Sequence, residues 1–299
     1  MMAAENEALQ ILNAQTRDIG FPVRRLLPQI SRRSIGPFVF LDHMGPARFP
    51  AGSTENDVRP HPHIGLGTLT YLFSGAMMHR DSLGVVQRIL PGAVNWMCAG
   101  RGISHSERIP EDVRAADEAV EGIQMWLALP EPLQEAEPAF RHYPESALPA
   151  WQQDGADWHL LIGEWGTRRS PVAVPSSTFY AAGKLGAEAI FEFPAEVEER
   201  AVYVAQGALV SDGQRLQAGS LVVLAPGSTP VFRATESARV MLLGGAPLDG
   251  PRYMWWNFVS SSRERIEKAA ADWNAGRFPE VPGEHDRIPA PALKPEQRN

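Results

Sequence analysis

The sequence predicts an all-β protein built from two copies of one barrel or sandwich domain, with a helix near the C-terminus. Three observations carry this. Short apolar runs, each cut off by Pro, Gly or Asp, follow one another closely along most of the 299 residues. An ordered series of matching residues relates the first half of the chain to the second. Only beyond residue 260 does the apolar spacing become helical.

Taken in order, residues 1–20 read as a leader, with a short helix as its expected form. Strand signals begin after Phe21, at 38–41, 68–73, 85–90, 94–97 and 123–129. Turn residues separate them, as in Ser74-Gly75, Asp81-Ser82-Leu83-Gly84 and Pro91-Gly92. Residues 130–149 are rich in Pro and Glu and poor in β-branched residues, so they read as a linker. Strand signals resume at 158–162, 189–193, 201–205, 221–224 and 240–243. Ser261-Ser262-Arg263-Glu264 is a capping sequence; Ile266, Ala269, Ala270 and Trp273 then share one helical face, and Gly276 is a natural stop. The expected division is a leader over 1–20, a first barrel over 21–140, and a second barrel with the helix and a Pro-rich tail over 141–299.

The repeat is carried by spacing. Tyr71-x-x-x-Gly75-Ala76 aligns with Tyr203-x-x-x-Gly207-Ala208, Gln87-Arg88-Ile89 with Gln214-Arg215-Leu216, Gly92 with Gly219, and Gly102 with Gly227. One such match is easily met by chance; an ordered series points to duplication.

Composition narrows the function. The net charge of −7 offers no clustered positive surface for direct nucleic-acid binding. No stretch approaches the ~20 apolar residues of a membrane span, and residues 1–17 lack the pattern of a signal peptide. A single cysteine, Cys98, excludes an intramolecular disulfide and fits a reducing compartment, so a cytoplasmic protein is expected. Cys98 lies in an apolar run and reads as a small buried hydrophobe.

Two pairs carry the chemistry: His61-Pro62-His63 and His105-Ser106-Glu107. On a strand, residues i and i+2 point to one face, so each pair can present two ligands to one point. Together they make three imidazoles and a carboxylate, a nitrogen and oxygen set that suits iron, manganese, cobalt, nickel, copper or zinc. A six-coordinate ion would keep two positions for water, dioxygen or a chelating substrate. His-x-His is rare by chance among eight histidines, whereas His-x-Glu is not. By the repeat, the four positions correspond to Phe193, Ala195, Pro230 and Phe232, which leaves one barrel with ligands and one without.

Several stretches resemble the pirin family of the cupin superfamily. They are Ile35-Gly36-Pro37-Phe38, Leu41-Asp42-His43-Met44-Gly45-Pro46, Arg59-Pro60-His61-Pro62-His63 and His79-Arg80-Asp81-Ser82-Leu83-Gly84. The most specific is Asn95-Trp96-Met97-Cys98-Ala99-Gly100-Arg101-Gly102-Ile103-Ser104-His105-Ser106-Glu107, and Trp255-Trp256-Asn257-Phe258-Val259-Ser260 is similar to bacterial members. The resemblance implies a bicupin, two jelly-roll barrels face to face, with Fe(II) held by His61, His63, His105 and Glu107. It also implies a quercetin 2,3-dioxygenase-like oxidoreductase acting on a small phenolic substrate with dioxygen. Other members of the family act through protein partners, as nuclear cofactors of transcription or on metabolic enzymes. A bicupin buries its barrels against each other, so a monomer is expected.

One position departs from the general cupin pattern. Gly67 stands where many members carry a Glu, and the glycine is expected to leave room, or room for water, beside the metal. Glu107 is then the expected catalytic base as well as a ligand. The competing expectations are a metal-dependent redox sensor that binds a protein, and a structural metal. His43 is expected to support the site by a hydrogen bond, His79 to belong to a turn or ion-pair network, and Trp255-Trp256 to pack in a core.

Overall fold

The computed structural model describes residues 9–292 of the chain. Among these residues the secondary structure is mostly strand, with two α-helices, Glu111–Ala115 and Arg263–Asn274, and two single 3-10 turns, Glu131–Leu133 and Glu145–Ala147. Every strand signal noted above overlaps a strand.

The strands form two seven-stranded and two four-stranded antiparallel sheets, beside two small hairpins. The first large sheet runs Ala139–Tyr143, Val94–Cys98, Leu66–Ser74, Val120–Ala128, Phe38–Ala47, Pro22–Leu27, Gln15–Asp18. The second runs Leu9–Asn13, Ser220–Leu224, Glu199–Gln206, Ala238–Gly245, Thr178–Leu185, Ala156–Ile162, Ala150–Gln153. The small sheets run Val58–His63, Ile103–Arg108, Met77–Asp81, Val86–Ile89, and Ile190–Glu192, Val231–Ala234, Ala208–Ser211, Gln214–Gln217. Each large sheet and its small partner give the plan of a jelly roll. The repeat is therefore structural: Tyr71 and Tyr203 sit on the third strand of their sheets. Gly75 and Gly207 follow with left-handed φ of 72° and 76°, where a side chain is disfavoured.

By its contacts the chain divides into two compact units that are not continuous segments. One holds the chain up to Thr16, Arg24–Leu41 and Ser146–Pro247; the other holds Arg17–Val23, Asp42–Glu145 and Leu248–Asn299. The second copy's core is aromatic and aliphatic, with Trp158, Phe179, Phe191, Phe193, Val202 and Phe232 buried together. In the other unit Phe21, Met44, Leu72, Met77 and Ile89 form a corresponding apolar cluster.

Three expectations change. The described part of the leader is not helical: Leu9–Asn13 pairs antiparallel with Ser220–Leu224, from Leu9 opposite Leu224 to Asn13 opposite Ser220. An open sheet edge offers these residues hydrogen bonds that a short isolated helix could not match. Residues 1–8 of the leader lie outside the described residues. The linker contains a strand, Ala139–Tyr143, which pairs with Val94–Cys98 at a sheet edge. The C-terminal helix, expected with the second barrel, groups with the first copy's unit. Its residues Ile266, Ala269, Ala270 and Trp273 bury against Ile64 and Phe258.

That helix is capped as its sequence requires. Ser262 is extended, and its hydroxyl accepts from the Arg265 amide at 3.1 Å. Replacing Ser262 with Ala removes that acceptor and should cost about 1 kcal/mol of stability, read as a lowered midpoint in urea. An unchanged midpoint would mean that the tertiary contacts of the helix make the cap redundant.

Candidate metal centre

The site begins with a strand pairing. Val58–His63 is the edge strand of its small sheet, a place that tolerates Pro60 and Pro62, which have no amide hydrogen to give. It lies antiparallel to Ile103–Arg108, with His61 opposite His105 and Ile103 opposite His63. The i, i+2 spacing puts His63 on the face of His61, and the pairing brings His105 to both. The ring centres lie 4.3 to 5.0 Å apart. Tight turns allow this. Gly65 has φ 67°, and a Cβ there would meet the Val259 carbonyl oxygen at 2.0 Å; Gly100 has φ 49° and would meet that of Ala136 at 1.9 Å. Only glycine fits either place.

Among the described residues, His61, His63 and His105 form a group whose ligand atoms all lie within 4.8 Å of one another, and all three are buried. Their orientation is set from behind. His61 donates from Nδ1 to the Arg59 carbonyl at 2.9 Å, and His63 from Nδ1 to the Asn257 carbonyl at 3.0 Å. A carbonyl only accepts, so each ring carries its proton on Nδ1 and leaves Nε2 as a lone pair. The Nε2 atoms of His63 and His105 are 3.1 Å apart. Two imidazole nitrogens, each about 2.1 Å from one ion and at right angles across it, are about 3 Å apart, so the donor set fits a transition metal.

Burial keeps these rings neutral. The His61 pKa falls from 6.5 to about 4, through burial first; the bond to Arg59 opposes this and the nearby His79 adds to it. His63 and His105 are held well below 6.5, again by burial and then by neighbouring histidines. A neutral imidazole is the ligating form.

Glu107 is placed differently. It is buried, but its carboxylate is outside the convergent group. The pairing with Val58–His63 slips between His105 and Glu107, which leaves Glu107 opposite Val58. Burial raises its pKa from 4.5 to about 7, and a hydrogen bond with Thr70 partly offsets this.

The expectation for Gly67 is corrected. A Cβ at this position would meet the Trp96 indole at 2.0 Å, so the space beside the glycine is filled by an aromatic ring and not by water. Strand alternation also turns Gly67 away from the face of Thr70, the residue that touches Glu107. His43 is fully buried and meets Glu121 at 3.0 Å, and none of the three convergent histidines is its bonded partner in that pair. Cys98 is half-buried, and burial pushes its thiol pKa up, which suits packing more than reactivity.

Two contributors were not singled out from the sequence. Trp126 stands edge-on to His63 at 5.1 Å, and the Asn257 carbonyl holds its Nδ1. Both signals are long-range. Asn257 lies between Trp256, which packs against the helix cluster, and Phe258, which is buried in it, so that apolar contact fixes a carbonyl at the site. In the second small sheet, the facing cross-strand partners are Phe191 and Phe232, stacked at 5.1 Å. They lie two residues from the positions that motif spacing aligned with His61 and His105, and they likewise offer no ligand.

Comparison with known proteins agrees with this picture. The Pirin family profile matches residues 20–127, and the Pirin C-terminal cupin domain matches residues 180–279. A pirin-like protein of Caulobacter vibrioides is 49% identical over 271 residues, covering 90% of this chain and 93% of its own. A crystal structure of quercetin 2,3-dioxygenase from Acinetobacter baumannii matches with a TM-score of 0.89 at 36% identity, covering 97% of each chain. A bacterial pirin from Escherichia coli, solved in complex with nickel(II), shares the fold at a TM-score of 0.62 and 17% identity, covering 80% of this chain and all of its own.

The buried titratable groups make stability depend on pH. Between about pH 4 and 6.5 the unfolded chain binds the His61 proton and the folded chain does not, so stability falls as pH drops through that window. His63 and His105 act in the same direction. Glu107 opposes them: between 4.5 and about 7 the folded chain holds the extra proton, so its contribution is lost as pH rises. Urea melts of metal-free protein should show lower stability at pH 5 than at 7.5, and Glu107→Gln should steepen that acid loss. An unchanged pH slope in the variant would contradict a buried, protonatable Glu107. Separately, Gly67→Ala should destabilise by about 1–3 kcal/mol through collision with Trp96, and Gly67→Glu should not raise metal affinity; a tighter-binding Gly67→Glu protein would return this position to the metal site.

Proposed function

Because the chain belongs to the pirin family, with a bicupin fold, we propose that it is a metal-dependent dioxygenase acting on a flavonol or related phenol, with His61, His63 and His105 holding Fe(II). The convergence of three neutral, buried imidazoles is the observation that carries this. The donor set alone accepts most late first-row ions, and iron is the family's expectation. Similarity to the Acinetobacter baumannii quercetin 2,3-dioxygenase supports the substrate class. When bound, the ion would act as a Lewis acid that lowers the pKa of a phenol or enol oxygen.

The chain's own residues supply the rest. His61 and His63 are held by backbone carbonyls, so the ligand nitrogens are oriented before any ion arrives. Glu107, with a pKa near 7, is poised to take the phenolic proton at neutral pH. It also remains the proposed fourth ligand, since its strand carries His105. Trp126 and the buried apolar residues around the site exclude bulk water from the neutral imidazoles. No helix among the described residues is long and apolar enough to cross a membrane. A cytoplasmic, monomeric protein belongs to the same proposal.

The test is oxygen-dependent loss of quercetin by protein loaded with Fe(II), with bound metal quantified in the same sample. Turnover is expected, with its loss in a His61→Ala/His63→Ala variant and a decrease of about 10²-fold or more in Glu107→Gln. Fully metallated protein that leaves quercetin and related phenols intact would overturn the enzymatic assignment in favour of a metal-sensing protein acting on a partner.

A further inference from the structure

His105 differs from the other two ligands in having no carbonyl behind it. Its Nδ1 faces Nδ1 of His79 at 3.3 Å. His79 in turn places Nε2 3.1 Å from Oδ2 of Asp81. Asp81 is fully buried, and its other oxygen accepts the amides of Leu83 at 2.9 Å and Val85 at 3.1 Å. His79 is also buried and stacks on Phe140 at 4.4 Å and 19° between planes, which fixes the ring. The pairing of Ile103–Arg108 with Met77–Asp81, with His105 opposite Asp81 and Glu107 opposite His79, holds these groups in line.

These contacts form one chain from the Asn257 carbonyl through His63, His105 and His79 to Asp81. Both ends are acceptors. With one N–H on each ring, three N–H groups serve four contacts, so one contact has no proton. Placing that gap at Asp81 would set a lone pair against a buried carboxylate, the costliest choice. Asp81 therefore takes the Nε2 proton of His79. His79 Nδ1 and His63 Nε2 are then both acceptors for the one His105 proton, and His79 gives that proton a partner on Nδ1 whenever a cation claims the lone pairs on the Nε2 side. With the His105 proton on Nδ1 the gap falls between His63 Nε2 and His105 Nε2, where a cation can sit.

We infer that Asp81 and His79 are positioning residues that set the tautomer of His105, so that its Nε2 is presented as a metal ligand. This rests on the assignment of His61, His63 and His105 as a metal site, and it extends that site to a carboxylate two side chains away from the ligand nitrogen. The role is one of hydrogen-bond polarity: neither residue belongs to the convergent donor group.

Asp81→Asn tests it with little change of shape. The Asn carbonyl can keep the Leu83 and Val85 amides, while its NH₂ takes the place of Oδ2 and donates to His79 Nε2. That reverses the chain and turns an N–H of His105 towards the metal position. Ni(II) binding by calorimetry should weaken about 10- to 100-fold in Asp81→Asn. His79→Phe, which removes the acceptor without presenting a donor, should fall between that variant and wild type. Imidazole ¹⁵N NMR of the wild-type protein, metal-free and loaded with Zn(II), should show His79 protonated on Nε2. A fold defect in a variant leaves this wild-type measurement decisive. Wild-type affinity in Asp81→Asn, or His79 protonated only on Nδ1, would overturn the inference. Absence of Ni(II) and Zn(II) binding by wild type, with His79 still protonated on Nε2, would instead sink the metal assignment and leave the Asp81–His79 polarity standing.

Discussion

The antiparallel pairing of Val58–His63 with Ile103–Arg108 is the constraint on which the site depends. It converts two short motifs, more than forty residues apart, into one cluster of nitrogen donors. A one-residue slip would turn His61 and His63 to the other face and dissolve the site. Several features hold the register. Gly65 and Gly100 close turns that a side chain would obstruct. Two prolines blunt the outer edge of Val58–His63. The chain beyond the helix adds bonds from outside, with the Ile288 amide to the Pro60 carbonyl at 2.8 Å and the Ser106 hydroxyl to Glu284 at 3.0 Å.

Burial and hydrogen-bond direction then do separate tasks. Burial removes the imidazolium forms, which would repel one another and a cation alike. Direction decides which nitrogen of each ring stays free. For His61 and His63 the decision is made by a backbone carbonyl one bond away. For His105 it comes through another histidine from a carboxylate that is itself held by two amides. The second copy of the fold shows the alternative use of the same scaffold: Phe191 and Phe232 stack across the equivalent strands and make core where the first copy makes a polar centre.

Much of this was legible in the sequence. Short apolar runs bounded by turn residues located the strands, the Tyr-x-x-x-Gly-Ala repeat located the duplication, and the two i, i+2 pairs located the histidines, because each signal is local. What was not legible depended on distant partners. Leu9–Asn13 and Ala139–Tyr143 are edge strands with weak patterns, and what makes them strands is the open edge beside them. Gly67 looked like space until Trp96, from the neighbouring strand, was seen to fill it. The slip beside Glu107 could not be read from spacing, which assumes a regular ladder. Asn257 reaches His63 from 194 residues away, through a carbonyl that any residue could supply.

X-ray absorption of protein loaded with Fe(II) or Ni(II) tests the central claim most directly, because it counts imidazole ligands without requiring turnover. Three imidazole nitrogens in the inner shell, at about 2.0–2.2 Å and reduced in a His105→Ala variant, are the expected result. Bound metal with no imidazole scattering, or a spectrum unchanged by His105→Ala, would contradict it.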